Sequence, residues 1–131
     1  MRTFVIDGYN VIYAIPQIEE LLDESLEAAR LGLERLLARF KDSRKDIENI
    51  YVVFDGQAQT SDEERPLANG ITAIYTHTKK NADEKILEIV KDSKRPDLIT
   101  VVSNDNFLYN NTRIHGGHII TVGEFCRIMK L

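Results

Sequence analysis

Ile50-Tyr51-Val52-Val53-Phe54-Asp55-Gly56 is an unbroken apolar run closed by an acid and a glycine. A half-exposed strand alternates apolar and polar residues, whereas a continuous run suits a strand covered on both faces. That setting is the interior of a parallel sheet with helices on either side. Upstream, residues 3–6 form a second β-branched run. Between the two, Ile18, Leu22, Leu26, Ala29, Leu33, Leu36, Leu37 and Phe40 recur at three- and four-residue steps. They predict a helix over most of residues 17–41 with one stripe on the sheet, and Asp23-Glu24-Ser25 offers a restart after a short first segment. Downstream, residues 56–69 lack periodicity and read as a long loop. A third strand is expected at 71–75. A helix follows over 82–92, with Asn81 as its cap and Glu84 three residues later. Leu98-Ile99-Thr100-Val101-Val102 is a fourth strand. A short helix from about Asp105 to Thr112, a Gly116-Gly117 turn, a fifth strand at 118–121 and a closing helix with Phe125, Ile128 and Met129 on one side complete the chain. Strands alternating with helices predict a parallel α/β fold.

The 131 residues suit one domain, and 43% hydrophobic with 29% charged residues is the balance of a chain with a real core. A net charge of −4 argues against coating nucleic acid by bulk charge. Five of the acids, Glu19, Glu20, Asp23, Glu24 and Glu27, crowd one segment that holds no Lys or Arg, so basic groups elsewhere remain free to meet phosphate. The single cysteine, Cys126, has no internal partner and reads as a small core residue. With no leader-like or membrane-spanning stretch, the expected compartment is the cytoplasm.

Three of the expected strands run into an aspartate: Asp7 after Ile6, Asp55 after Phe54, and Asp105 shortly after Val102. Ligands of open parallel sheets bind beyond the carboxyl ends of the strands, so these side chains are expected to converge. Asp83 joins them from the helix near Ala82, where it shares a face with Ile86, Leu87 and Val90. Each acid has a plainer reading. Asp105 suits a helix cap, Asp7-Gly8-Tyr9-Asn10 and Asp55-Gly56 suit turns, and Asp83 suits a helix first turn. Together they point to converging carboxylates that repel one another and recruit cations. Oxygen ligands without a thiolate or imidazole cluster favour Mg²⁺ or Mn²⁺ and, with them, phosphodiester hydrolysis.

Val5-Ile6-Asp7-Gly8-Tyr9-Asn10-Val11-Ile12, Val52-Val53-Phe54-Asp55-Gly56, Asn81-Ala82-Asp83-Glu84-Lys85-Ile86 and Val101-Val102-Ser103-Asn104-Asp105, in that order, resemble the YacP-type proteins of the NYN branch of PIN-like nucleases. The likeness spans the whole chain. It implies a PIN-like three-layer α/β/α sandwich around a mainly parallel five-stranded sheet. It also implies a Mg²⁺- or Mn²⁺-dependent endoribonuclease acting on RNA, including messenger RNA engaged with ribosomes. By that resemblance Asp7, Asp83 and Asp105 hold metal, Asp55 lies at the edge of the site, and Asn10 orients the first acid or a metal-bound water. Many relatives carry Ser or Thr immediately before the last acid. Here Asn104 follows Ser103 and Asn106 follows Asp105, and these three residues are read as supporting the acids.

Lys79, Lys80 and Arg113 are candidate phosphate contacts, each of which could equally be surface charge, and Tyr9 could stack a base or pack on the sheet. His77, His115 and His118 share no metal-ligand spacing. A second class of function is a non-catalytic RNA- or ribosome-binding module on the same frame. A haloacid dehalogenase-like phosphatase would need a second acid at the position of Tyr9, and a dinucleotide-binding fold would need a Gly-rich turn after the first strand.

Overall fold

The structure is a computed structural model that describes residues 1–58, 60–77 and 80–131, with the side chain of Gln57 also left aside. Lys79 therefore lies outside the described residues. Among the described residues six strands form one sheet: β1 (Arg2–Asp7), β2 (Ile47–Ala58), β3 (Glu63–Ala68), β4 (Ile71–His77), β5 (Ile99–Val102) and β6 (His118–Ile120). Their order is β3-β4-β2-β1-β5-β6, parallel throughout except for the antiparallel β3–β4 pair. The helices are α1 (Gly8–Ala14), α2 (Pro16–Glu19), α3 (Leu26–Ser43), α4 (Ala82–Asp92), α5 (Asn106–Ile114) and α6 (Val122–Ile128), with single 3-10 turns at Glu20–Asp23 and Pro96–Leu98.

Strand alternation divides the core into two layers. Phe4, Ile6, Val52, Phe54 and Tyr75 point to one face, where they meet Val11, Leu33, Leu37, Phe40 and Phe125 from α1, α3 and α6. Val5, Val53, Ile74 and Val101 point to the other, against Ile86, Leu87 and Val90 of α4 and Leu108 of α5. These are the three layers of the expected sandwich. Ser25 caps α3 by accepting from the Ala28 amide at 2.9 Å, so the helix restarts at the acid-rich segment.

The expected five strands are corrected to six. Residues 63–68 were expected as loop because Glu63, Glu64, Arg65 and Pro66 carry no apolar alternation. They form an exposed edge strand, where charge and proline guard an open ladder. The connection to β4 is Asn69-Gly70, with Gly70 at φ +77°. The turn expected at residues 7–10 is the start of α1, with Asp7 as its cap. β2 outruns its expected end because a register shift between Phe54 and Ala58 lets pairing resume beyond Gly56, which sits at φ +63°.

α1 leaves β1 so tightly that a Cβ at Gly8 would stand 2.4 Å from Phe54 Cε1. Phe54 is held in turn by Tyr9 and Tyr75, at ring centroid distances of 5.1 and 5.5 Å. Gly8→Ala is accordingly expected to lower unfolding free energy by about 1–3 kcal/mol, read as a reduced urea midpoint with unchanged slope. A wild-type midpoint would contradict this packing.

Candidate active site

β1 lies between β2 and β5, and the chain crosses from one side of β1 to the other after β4. That reversal opens a crevice at the carboxyl ends of the strands. Val5 and Val53 face α4, so alternation turns Asp7 and Asp55, each two residues on, to the same side. Asp83 arrives from the first turn of α4, and Asp105 from the cap of α5.

Two acids also serve their helices. An Asp7 carboxylate oxygen accepts from the Asn10 amide at 3.4 Å, and one from Asp105 accepts from Leu108 at 2.8 Å. Asp55 accepts from the Ala82 amide at the start of α4. Capping and convergence are thus compatible, because a carboxylate that caps with one oxygen keeps lone pairs for another partner.

The electrostatics show how closely the acids are coupled. Asp7 is 8% exposed. Burial pushes its pKa up to about 7; the Asn10 amide opposes this, while the charges of Asp83, Asp55 and Asp105 add to it. Asp83 is pushed up to about 6 by burial first, then by the charges of Asp105 and Asp55 and by a side-chain hydrogen bond with Asp105. No lysine or arginine forms an ion pair with Asp7, Asp83 or Asp105 among the described residues.

For a divalent cation the donor chemistry fits: the side chains are hard carboxylate oxygens, and Asp7, Asp83 and Asp105 enter no ion pair among the described residues. It is not a closed cage. Among the described residues no group of three or more Asp, Glu, His or Cys is already disposed to hold a metal. The closest association is the Asp83–Asp105 pair, with Asp7 and Asp55 in electrostatic range. One or two carboxylates suffice for Mg²⁺, which keeps several waters.

The supporting residues knit the strand ends together. Asn10 accepts through its side-chain oxygen from the Asn104 amide at 3.4 Å, joining α1 to the segment after β5. Asn104 in turn accepts from the Val122 amide at 2.9 Å, at the start of α6. The buried Ser103 hydroxyl accepts from the Asp105 amide at 3.1 Å. Asn106 is exposed at the first position of α5.

The other sequence candidates are engaged elsewhere. Tyr9 is half-buried, packed edge-on against Phe54, and its hydroxyl accepts from Arg30 at 2.8 Å. Lys80 donates to Asp62 at 3.3 Å and to Glu88, and Lys85 shares both carboxylates. The Asp62 carboxylate also accepts from the His77 amide at 3.2 Å. Burial acts to raise the Asp62 pKa, but the His77 amide and the lysines hold it below its ordinary value. Asp62 lay inside the expected loop, so the sequence offered no register that would place it beside α4. Arg113 lies over the Tyr109 ring, its guanidinium 5.2 Å from the centroid, and donates to that hydroxyl at 2.7 Å.

A three-layer α/β/α frame with aspartates gathered at its strand ends is that of a nuclease-type hydrolase domain of the PIN-like kind. The chain belongs to the YacP-like NYN domain family, which matches it over residues 4–131. It is 30% identical over 91 residues to the uncharacterized protein YacP of Bacillus subtilis (strain 168), covering 70% of this chain and 52% of that protein. The match thus spans about half the length of that curated relative. The crystal structure of Rae1 (YacP) from Bacillus subtilis is similar with a TM-score of 0.79 and 25% identity, over 99% of this chain and 74% of that one. A mutant of the same protein gives a TM-score of 0.77 at 25% identity, over 99% and 76%. No helix among the described residues is long and apolar enough to cross a membrane.

The raised pKa of Asp7 has a consequence for stability. Between about pH 4 and pH 7 the folded protein keeps a proton that the unfolded chain has lost, so metal-free stability falls as pH rises through that window. Asp7→Asn removes the penalty and is expected to gain on the order of 2–4 kcal/mol at pH 8, with little change at pH 3. Parallel urea melts of both proteins in EDTA check this; equal stability at pH 8 would contradict the burial of a charged Asp7.

Proposed function

We propose that this protein is a Mg²⁺- or Mn²⁺-dependent endoribonuclease that hydrolyses phosphodiester bonds of single-stranded RNA. The observation that carries this reading is the set of four aspartates brought to one strand-end crevice with no ion-paired cation on Asp7, Asp83 or Asp105 among the described residues. Such a crevice repels a polyanion unless a cation accompanies it. Asp83 and Asp105 would hold that cation, with Asp7 completing the site and Asp55 at its edge. When bound, the metal would supply an acidified water and neutralise charge on the phosphodiester.

The chain's own groups have separate tasks. Asp7 is raised far enough to exchange a proton near neutrality, so occupation of the crevice by a cation is coupled to proton release. Asn10 fixes the α1 end against the Asp105 segment, and Ser103 orients the Asp105 backbone. The family likeness extends the reading to messenger RNA engaged with ribosomes and to a cytoplasmic setting.

The alternative, a non-catalytic RNA- or ribosome-binding module, draws on the open disposition of the acids. One experiment separates the two. Purified protein is incubated with end-labelled single-stranded RNA in Mn²⁺, Mg²⁺ or EDTA, beside Asp83→Asn and Asp7→Asn. The expected result is internal cleavage that EDTA abolishes. Each variant should retain its fold by circular dichroism and lose more activity than the ~10–100-fold typical of an outer-sphere metal partner. RNA binding without cleavage in any metal would establish the alternative, and full activity in either variant would overturn the site assignment.

A further inference from the structure

On the opposite side of the same sheet rim, two guanidinium groups are held over one ring. Tyr75, 8% exposed, stacks on Phe54 with centroids 5.5 Å apart and an interplanar angle of 20°. Arg30 Cζ lies 5.3 Å from the Tyr75 centroid and Arg65 Cζ 5.1 Å from it. Arg30 is further fixed by the Phe54 ring at 5.4 Å and by its bond to the Tyr9 hydroxyl. A guanidinium held over aromatic faces keeps its N–H edge for an acceptor. The Arg30 Nε is buried and has no hydrogen-bond partner among the described residues.

Charge compensation distinguishes this pair from Lys80 and Lys85, which share Asp62 and Glu88. Among the described residues Arg30 enters no ion pair, and Arg65 meets only Glu63, at 3.5 Å on the exposed surface. The two arginines, Phe54 and Tyr75 line a cavity of about 360 Å³, together with Glu27 and Glu34. Two donors forks and two carboxylates suit a nucleotide better than a bare anion: the forks meet phosphate oxygens, and the carboxylates accept from ribose hydroxyls.

The cavity and the carboxylates lie on opposite faces of the same sheet. Phe54 and Tyr75 are register partners, Phe54 precedes Asp55, and Tyr9 follows Asp7 by two residues. Alternation sends Phe54 and Tyr75 towards α3 and sends Asp7 and Asp55 towards α4.

We propose that Arg30 and Arg65, held over Tyr75, bind a backbone phosphate of the single-stranded RNA whose phosphodiester is cut at the carboxylates. The assignment rests on the nuclease reading and names the path of its substrate. Arg65 is 65% exposed, so Arg65→Gln leaves the core intact, while Arg30→Lys keeps charge and removes the fork. The test is fluorescence anisotropy of a labelled single-stranded oligouridylate in EDTA over a range of KCl, for wild type, both variants and Asp83→Asn, with circular dichroism confirming each fold.

Arg65→Gln is expected to weaken binding about 5- to 10-fold, and Arg30→Lys by a smaller factor. The slope of log affinity against log salt should become shallower by ~0.7 for Arg65→Gln, one phosphate contact on a single strand. Asp83→Asn should bind at least as tightly as wild type while failing to cleave when Mn²⁺ is restored. Wild-type affinity and slope in both arginine variants would overturn the proposal and leave the nuclease reading standing if Asp83→Asn is still inactive. Binding of inorganic phosphate, read by calorimetry and lost in both arginine variants, together with no RNA binding, would identify a free-anion site and overturn it too. Absence of both RNA binding and cleavage would remove the nuclease reading along with it.

Discussion

The burial of Asp7 at the end of the central strand is the constraint around which the rest is arranged. A carboxylate 8% exposed, without an ion-paired cation among the described residues, is costly to ionise, and three further aspartates in range make it costlier. The fold tolerates it because β1 is the middle strand and its flanking strands hold it in place. One Asp7 oxygen is engaged by the helix that starts there. A domain selected for stability alone would place Asn at this position, which caps equally well without charge. Retention of the charge is intelligible if a cation and a polyanion share the crevice.

The same rim organises both faces of the molecule. Side chains that alternate along β1 and β2 send aspartates to the α4 side and aromatic rings to the α3 side. The α4 side is left negative. The α3 side carries two guanidiniums braced by Phe54 and Tyr75. A chain with a net charge of −4 can therefore offer phosphate two braced guanidiniums without any overall excess of basic residues, with Glu27 and Glu34 lining the same cavity. The acid-rich segment around residues 19–27 accounts for part of the imbalance.

Much of this was legible in the sequence because buried parallel strands write themselves as apolar runs. Residues 50–54 and 98–102 announced central strands, and Asp7, Asp55 and Asp105 stood out because they close such runs. Asp83 was legible through its helical phase with Ile86, Leu87 and Val90. The edge strand β3 was not, since an edge is built from the charges and proline that also mark loops. Asn69-Gly70 before the β-branched residues of β4 was its one local signal. Helix α1 was hidden because a cap and a turn begin with the same residues, Asp7-Gly8. Contacts that depend on register escaped as well. Arg30 against Tyr75, and Asp62 against Lys80 and Lys85, join elements far apart in the chain, and no periodicity encodes such a meeting.

Everything else follows from whether the buried Asp7 holds its proton to near neutrality until a divalent cation relieves it. Carboxyl-carbon NMR titration of the protein labelled at aspartate, with and without Mg²⁺, measures this directly. The account predicts an Asp7 pKa of about 7 in EDTA and a marked downward shift when Mg²⁺ is present, as a cation favours the charged form. An Asp7 that titrates near the ordinary aspartate value of about 3.9 and is indifferent to Mg²⁺ would contradict it.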